Sequence, residues 1–212
     1  IDFEEQLHPS GLPEAFIIGE KFIKKDNVAL ILGDNFFYGQ SLGLKLKEST
    51  KLKSGAKVFL HKVSKPELYG VAKINKNKKI IKIVEKPKKF ISDYAITGLY
   101  FFDNKVVKLA KTLKPSKRGE TEIIDLLNKY KNEKKLKADF IGRGGVWLDT
   151  GSIKDFYNTS TFVSTIENRQ GMKIACIEEI AFYNKWIKRK EIQNSIKFYG
   201  NCDYSNYLKK LL

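Results

Sequence analysis

Residues 28–32, Val-Ala-Leu-Ile-Leu, are an unbroken apolar run that stops at Gly33-Asp34-Asn35. A run of strand length without alternation reads as a strand buried on both faces, and its Gly-Asp-Asn end reads as a turn. A sheet that buries both faces needs helices to cover it. The rest of the chain supplies them, because short apolar runs alternate with segments of helical period. Strands are predicted at 56–63 and 95–102, a hairpin at 71–74 and 80–84 around Asn75-Lys76-Asn77-Lys78, and one or two strands within 140–149. Helices are predicted at 13–23, with Ala15, Phe16, Ile18 and Phe22 inward, and at 41–51. Two more follow at 104–113, capped by Asn104, and at 121–130, where Ile123, Leu126, Leu127 and Tyr130 share a face. From residue 153 onward everything reads as helix, with Phe156, Val163 and Ile166 on one face and Ile180, Trp186 and Ile187 on another. The expected division is an α/β domain over 1–152 and a helical part over 153–212 packed on it.

The charge of +16 invites a nucleic-acid reading, but its distribution argues against one. The excess is mostly lysine, set in surface-type stretches at 45–53, 73–89 and 129–137, while arginine, the better bidentate reader of bases and phosphates, is scarce. A solvated basic surface is expected, one that can still steer a nucleotide toward a site. No apolar stretch approaches the roughly 18 residues of a membrane span, so no membrane partner is expected. No secretory leader is visible, and Cys176 and Cys202 form neither a disulfide framework nor a metal-ligand spacing; a reducing cytoplasm is the default.

A carboxylate just past the carboxyl end of a buried strand lies where open α/β sheets bind ligands, which singles out Asp34; a capped turn would use the same residues. Trp147-Leu148-Asp149-Thr150-Gly151 repeats the pattern, with Thr150 or Ser152 able to cap the helix that follows. If Asp34 and Asp149 converge, they suit Mg²⁺, which takes few protein oxygens and keeps positions for water and phosphate. Glu85-Lys86-Pro87 leaves a strand with a point charge able to hold a phosphate, or with an ordinary ion pair. Gly98 inside an apolar strand marks either a close backbone approach or a bulge. His8 and His61 have no partner spacing and read as structural. Arg118-Gly119-Glu120 reads as a loop that sets Glu120 at a helix N-terminus.

These motifs occur in a telling order. Leu32-Gly33-Asp34-Asn35-Phe36-Phe37-Tyr38-Gly39 is followed by Tyr69-Gly70-Val71, Glu85-Lys86-Pro87 and Thr97-Gly98-Leu99-Tyr100. Then come Lys114-Pro115-Ser116, Arg118-Gly119-Glu120, Trp147-Leu148-Asp149-Thr150-Gly151 and Ile166-Glu167-Asn168-Arg169-Gln170-Gly171. The ordered set resembles the glucose-1-phosphate thymidylyltransferases over essentially the whole chain. The resemblance implies a Rossmann-like nucleotidyltransferase fold of glycosyltransferase-A type, with a mixed sheet flanked by helices. It implies that glucose 1-phosphate attacks the α-phosphorus of dTTP, giving dTDP-glucose and pyrophosphate with Mg²⁺, as the first step toward dTDP-rhamnose-type sugars in the cytoplasm. Asp34 and Asp149 match the metal-binding aspartates, and with Lys86 they are the catalytic candidates. Gln6 matches the glutamine that reads thymine, and Gly11 the glycine under the base. Asn35, Tyr69, Gly70, Glu85, Lys86, Ile96 and Gly98 match the sugar-phosphate pocket, and Trp147 a site-lining aromatic. The family further implies a homotetramer regulated by a downstream dTDP-sugar, with helices after residue 153 as the expected contact surface.

The resemblance also implies a Gly-rich G-x-G-[ST]-R-L-x-P loop that cradles the triphosphate, and no such segment occurs in this sequence, which opens at Ile1. The expectation is an N-terminally incomplete enzyme, lacking roughly 60–80 residues of βαβ structure, weak or inactive alone and exposing a sheet edge. The competing expectations are a related pyrophosphorylase with another base or sugar, a non-catalytic nucleotide-sugar-binding or assembly subunit, and a polyanion-binding protein.

Overall fold

The computed structural model describes residues 1–212 and divides into two compact units, Ile1–Asp149 and Thr150–Leu212. The first is built on a six-stranded mixed sheet whose centre is β6 (Tyr94–Phe102). Around it lie β1 (Val28–Ile31), β3 (Ala56–Lys62), β4 (Gly70–Ile74), β5 (Ile80–Glu85) and β7 (Leu136–Phe140). The order is β5-β4-β6-β3-β7, with β1 also paired to β6; every pairing is antiparallel except β3 with β7. A separate antiparallel ribbon joins β2 (Asn35–Tyr38) to β8 (Val146–Asp149). The helices of this unit are α1 (Glu14–Ile18), α2 (Glu20–Ile23), α3 (Leu42–Ser49), α4 (Lys105–Ala110) and α5 (Ile123–Asn132).

The sheet is covered on both faces, as its apolar central strand requires. Ile96, Tyr100 and Phe102 of β6 join Val58 and Leu60 of β3 in a large core with Phe16 of α1, Val106 and Val107 of α4, and Ile123, Leu126, Leu127 and Tyr130 of α5. Leu99 and Phe101 point into a second cluster with Phe59, against which Phe37 of β2 and Leu46 of α3 pack. Burying side chains of this size is worth about 1.5–3 kcal/mol each, the main favourable term of the fold. Two lysines, Lys45 of α3 and Lys57 of β3, meet Asp139 of β7 at 2.5 and 3.1 Å. Burial pushes the Asp139 carboxyl upward, but these cations outweigh it and hold it below its usual range.

Several local expectations are corrected. The helix expected over 13–23 is broken at Gly19 into α1 and α2, and the phase change leaves Ala15 and Phe22 in solvent. The strand at 28–32 is not buried on both faces. Val28 and Leu30 lie on the core, whereas Ala29 and Ile31 are exposed, because β6 is the only strand that β1 pairs with. Asn104 precedes α4 without capping it: its amide donates to the Lys24 and Asp26 carbonyls, and Asp103 Oδ1 accepts from the Lys105 N–H instead. At the start of α5 it is Glu122, not Glu120, that is engaged, by Arg118 and Ser116.

The second unit contains α6 (Ile153–Gln170), α7 (Ile177–Tyr183), α8 (Arg189–Tyr199) and α9 (Asp203–Lys209). Ser152 caps α6 through the Asp155 N–H, one of the two caps expected there, and Gly171 closes it in the left-handed conformation. Its core is small: Cys176, Ile192, Tyr207 and Leu208, with Phe182, Ile187 and Ile196 against them. The buried Glu178 carboxylate is satisfied by the Tyr199 and Tyr204 hydroxyls at 2.9 and 2.5 Å. Phe156, Ile180 and Trp186, read as members of shared apolar faces, are exposed. Both cysteines are free, and no helix is long and apolar enough to cross a membrane.

Candidate active site

The carboxyl ends of β1 and β5, the bulge in β6 and the end of the β2–β8 ribbon meet around a cleft of about 200 Å³. Its lining includes Asn35, Tyr69, Gly70, Glu85, Lys86, Ile96, Gly98, Trp147 and Asp149, brought together from across the first unit. Cross-strand pairing explains much of this. Gly70 lies opposite Glu85 in the β4–β5 hairpin, and Asn35 opposite Asp149 in the ribbon. Asp34 precedes Asn35 by one residue, so both aspartates stand at the same end of the ribbon; Asp34 is exposed and Asp149 half-buried.

The floor is formed by a bulge. The β3–β6 register runs from Val58 opposite Tyr100 to Leu60 opposite Ile96, so β6 carries extra residues at Thr97–Leu99. The bulge reading of Gly98 therefore holds, and the groups packed against its backbone are side chains of this same chain. A Cβ there would lie 2.5 Å from Asn35 Oδ1 and 2.7 Å from Leu32 Cδ1. The Gly98 N–H donates to that same Oδ1 at 2.9 Å, and the Trp147 indole N–H donates to it at 2.6 Å. The wall is aromatic. Tyr69 meets Trp147 edge-on at 5.0 Å, and His61 meets its ring at 6.3 Å.

The polar side is formed by Glu85 and Lys86. A side chain at Gly70 would strike Ile124 and crowd Glu85 Oε2, so the glycine leaves room for the carboxylate. Burial pushes the Glu85 carboxyl above its usual range, and the Glu122 charge adds to this, while Lys86 and Arg118 pull it back. Lys86 has a left-handed backbone (φ 39°), and its N–H donates to the Tyr69 carbonyl at 3.0 Å. A non-glycine residue in that conformation at a cleft is locally strained backbone. Asp34 and Asp149 offer carboxylate oxygens, the donor type that fits a hard cation such as Mg²⁺, which is held by one or two carboxylates and completed by phosphate and water. No group of three or more His, Cys, Asp or Glu side chains that could hold a metal ion stands here or elsewhere in the chain.

Gln6, Gly11 and Asp34 lie outside the cleft lining. The Gln6 amide donates to the Gly11 carbonyl at 3.2 Å and to Glu14 at 2.5 Å. Gly11 has φ +103° and abuts the Thr121 backbone, and the next residue, Leu12, reaches the cleft. Sequence reasoning missed Leu32, Leu68, Tyr100, Ile123 and Ile124 in the lining. Helical spacing marked Ile123 as buried, but nothing local says against what. His61 read as structural; its ring stands behind Trp147 with Nδ1 buried and unpaired, and burial lowers its pKa.

The nucleotidyl transferase family model matches residues 1–166. A glucose-1-phosphate thymidylyltransferase from Neisseria meningitidis serogroup A is 45% identical over 212 residues, all of this chain and 74% of that protein. The chain belongs to the glucose-1-phosphate thymidylyltransferase family. The Mycobacterium tuberculosis enzyme of that name is 40% identical over 212 residues, covering 73% of its length. Among solved structures, a glucose-1-phosphate thymidylyltransferase from Bacillus anthracis in complex with sucrose superposes with a TM-score of 0.64 at 40% identity. The match covers 72% of this chain and 61% of that one. A UDP-glucose pyrophosphorylase complexed with UDP-glucose gives 0.66 at 25% identity, covering 74% and 64%. The chain thus spans about three quarters of its curated relatives and less than two thirds of these solved chains. The mixed sheet flanked by helices is the fold the family shares.

Proposed function

We propose that these residues form the sugar-phosphate side of a glucose-1-phosphate thymidylyltransferase site. The complete reaction joins a phosphate oxygen of glucose 1-phosphate to the α-phosphorus of dTTP as the bond to pyrophosphate breaks. The observation that carries the reading is the cleft itself, where Glu85, Lys86, two aromatic rings and Asp149 line one small space, with Asp34 next in the chain to the lining residue Asn35. Glu85 accepts hydrogen bonds from sugar hydroxyls, and the neighbouring Lys86 holds the phosphate as a point charge. Trp147 and Tyr69 present flat apolar faces to the sugar ring and exclude water. Ile96, Gly98 and Gly70 shape the floor, while Asn35 stands beside the acidic end. Asp34 and Asp149 would hold Mg²⁺, which when bound neutralises charge on the phosphates. Gln6 and Gly11 are proposed to meet the base.

Binding, without turnover, reads this side of the site directly. Calorimetric titration with glucose 1-phosphate, dTDP-glucose and UDP-glucose, with and without Mg²⁺, tests the reading. Saturable binding of the sugar nucleotide, weakened at least tenfold (about 1.4 kcal/mol) by Lys86→Met and Glu85→Ala, is expected. Absence of binding to every sugar nucleotide and sugar phosphate, or retention on DNA with a steep salt slope, overturns it.

A further inference from the structure

We propose that Asn35 is a positioning residue, which fixes the indole of Trp147 and the carboxylate of Asp34 to the floor of the cleft; this rests on the sugar-nucleotide reading above. A side-chain amide oxygen has two lone pairs, and at Asn35 both are engaged. One accepts the Gly98 N–H at 2.9 Å and the other the Trp147 Nε1–H at 2.6 Å. The amide nitrogen donates to Asp34 Oδ1 at 2.8 Å. One amide thus joins three strands that are far apart in sequence: β2, the bulge of β6, and β8. Its backbone adds a fourth tie through register, because Asn35 pairs with Asp149. The bulge presents Gly98 to Asn35, and the glycine is the residue type that admits it, since a Cβ would overlap the amide. Trp147 is buried, so its indole N–H needs this acceptor. The amide therefore sets where the aromatic wall stands and which way one of the two acidic groups points. It does so before any ligand arrives, which is the preorganisation a binding site requires.

The test uses Trp147 as its own reporter. The chain has two tryptophans, and Trp186 is 74% exposed in the second unit, so Trp186→Phe leaves Trp147 as the only indole. In that background, without ligand, Asn35→Ala is expected to flatten the near-ultraviolet dichroism of Trp147 and red-shift its emission, with far-ultraviolet dichroism unchanged. Asn35→Asp keeps an oxygen for both the Gly98 and Trp147 donors, and the exposed Asp34 can turn into solvent. It is expected to restore the Trp147 signature. In EDTA, the dissociation constant for dTDP-glucose should rise about tenfold in Asn35→Ala, the loss expected for a hydrogen-bonded anchor. Adding Asn35→Ala to Trp147→Phe should change it less than about twofold, because coupled residues are not additive. Weakened binding with an unchanged Trp147 spectrum, or effects that multiply in the double variant, would make Asn35 a direct ligand contact and overturn the proposal. If Asn35→Ala does not fold, failure of Asn35→Asp to show the native Trp147 signature overturns it equally. A wild-type chain that binds no dTDP-glucose defeats the functional reading alone, since the ligand-free spectra still decide the role of Asn35.

Discussion

Gly98→Ala should cost about 3–4 kcal/mol, and the reason is steric. Gly98 is not among the residues with positive φ, so alanine can adopt its backbone conformation. The added methyl would lie 2.5 Å from Asn35 Oδ1, 2.7 Å from its Cγ and 2.7 Å from Leu32 Cδ1, all well inside van der Waals contact. Relief requires the Asn35 amide to swing away, breaking its bonds from Gly98 and Trp147. Two hydrogen bonds at about 1 kcal/mol each give about 2 kcal/mol, and leaving the buried indole N–H unpaired adds about 1–3 kcal/mol. Relaxation of Leu32 brings the total toward the lower half of that sum. Urea unfolding followed by Trp147 emission in the Trp186→Phe background measures the loss, provided m is unchanged. A cost below about 0.5 kcal/mol, the scatter of neutral substitutions, with the Trp147 spectrum intact, would refute the claim that the bulge and the amide are fitted to each other.

Other substitutions probe separate links. Gly43 lies within α3, and a Cβ added there would meet no atom within 4 Å. Gly43→Ala should therefore stabilise by about 0.5–1 kcal/mol, read as a higher urea midpoint. Tyr130→Phe removes the hydroxyl that donates to Asp103 Oδ1 at 2.8 Å, in a site where both residues are buried. Asp103 Oδ2 keeps the Gly55 N–H, so the expected loss is about 1–3 kcal/mol and not unfolding. Glu85 has its pKa raised in the fold, chiefly by burial, so the native state holds that proton more tightly than the unfolded chain. Its contribution is fully present below the ordinary carboxylate range and is lost as pH rises through the folded value. Thermal melts of wild type and Glu85→Gln should therefore diverge in that window, with Gln gaining as pH rises; a pH-independent difference would contradict the burial argument.

How far the sequence could be read depended on whether the deciding contacts were local. Ile123, Leu126, Leu127 and Tyr130 repeat at helical spacing and are buried as that spacing predicts. The hairpin at β4 and β5 was legible from its turn. Val28–Ile31 was not, because an apolar run looks the same whether one or both faces are covered, and Ile31 is 60% exposed. Asn104 has the chemistry of a cap, yet a nearby loop competes for its amide and Asp103 takes its place. The motif residues around the cleft were named by family resemblance, and only cross-strand register shows why Asn35 and Asp149, or Gly70 and Glu85, are neighbours. The double hydrogen bond at Asn35 has no sequence signal, since both donors come from distant strands.

The β2–β8 ribbon has a consequence for the order in which this molecule is made. Asn35 and Trp147 are 112 residues apart along the chain, and closing a loop of that length costs about 4 kcal/mol of entropy. The sheet strands between them must carry that cost before the ribbon can zip. On a ribosome, the first strand of the ribbon therefore waits through the synthesis of nearly the whole first unit before its partner emerges. The cleft is the last part of that unit to assemble, and a nascent chain stalled before Val146 would have most of its core and no cleft.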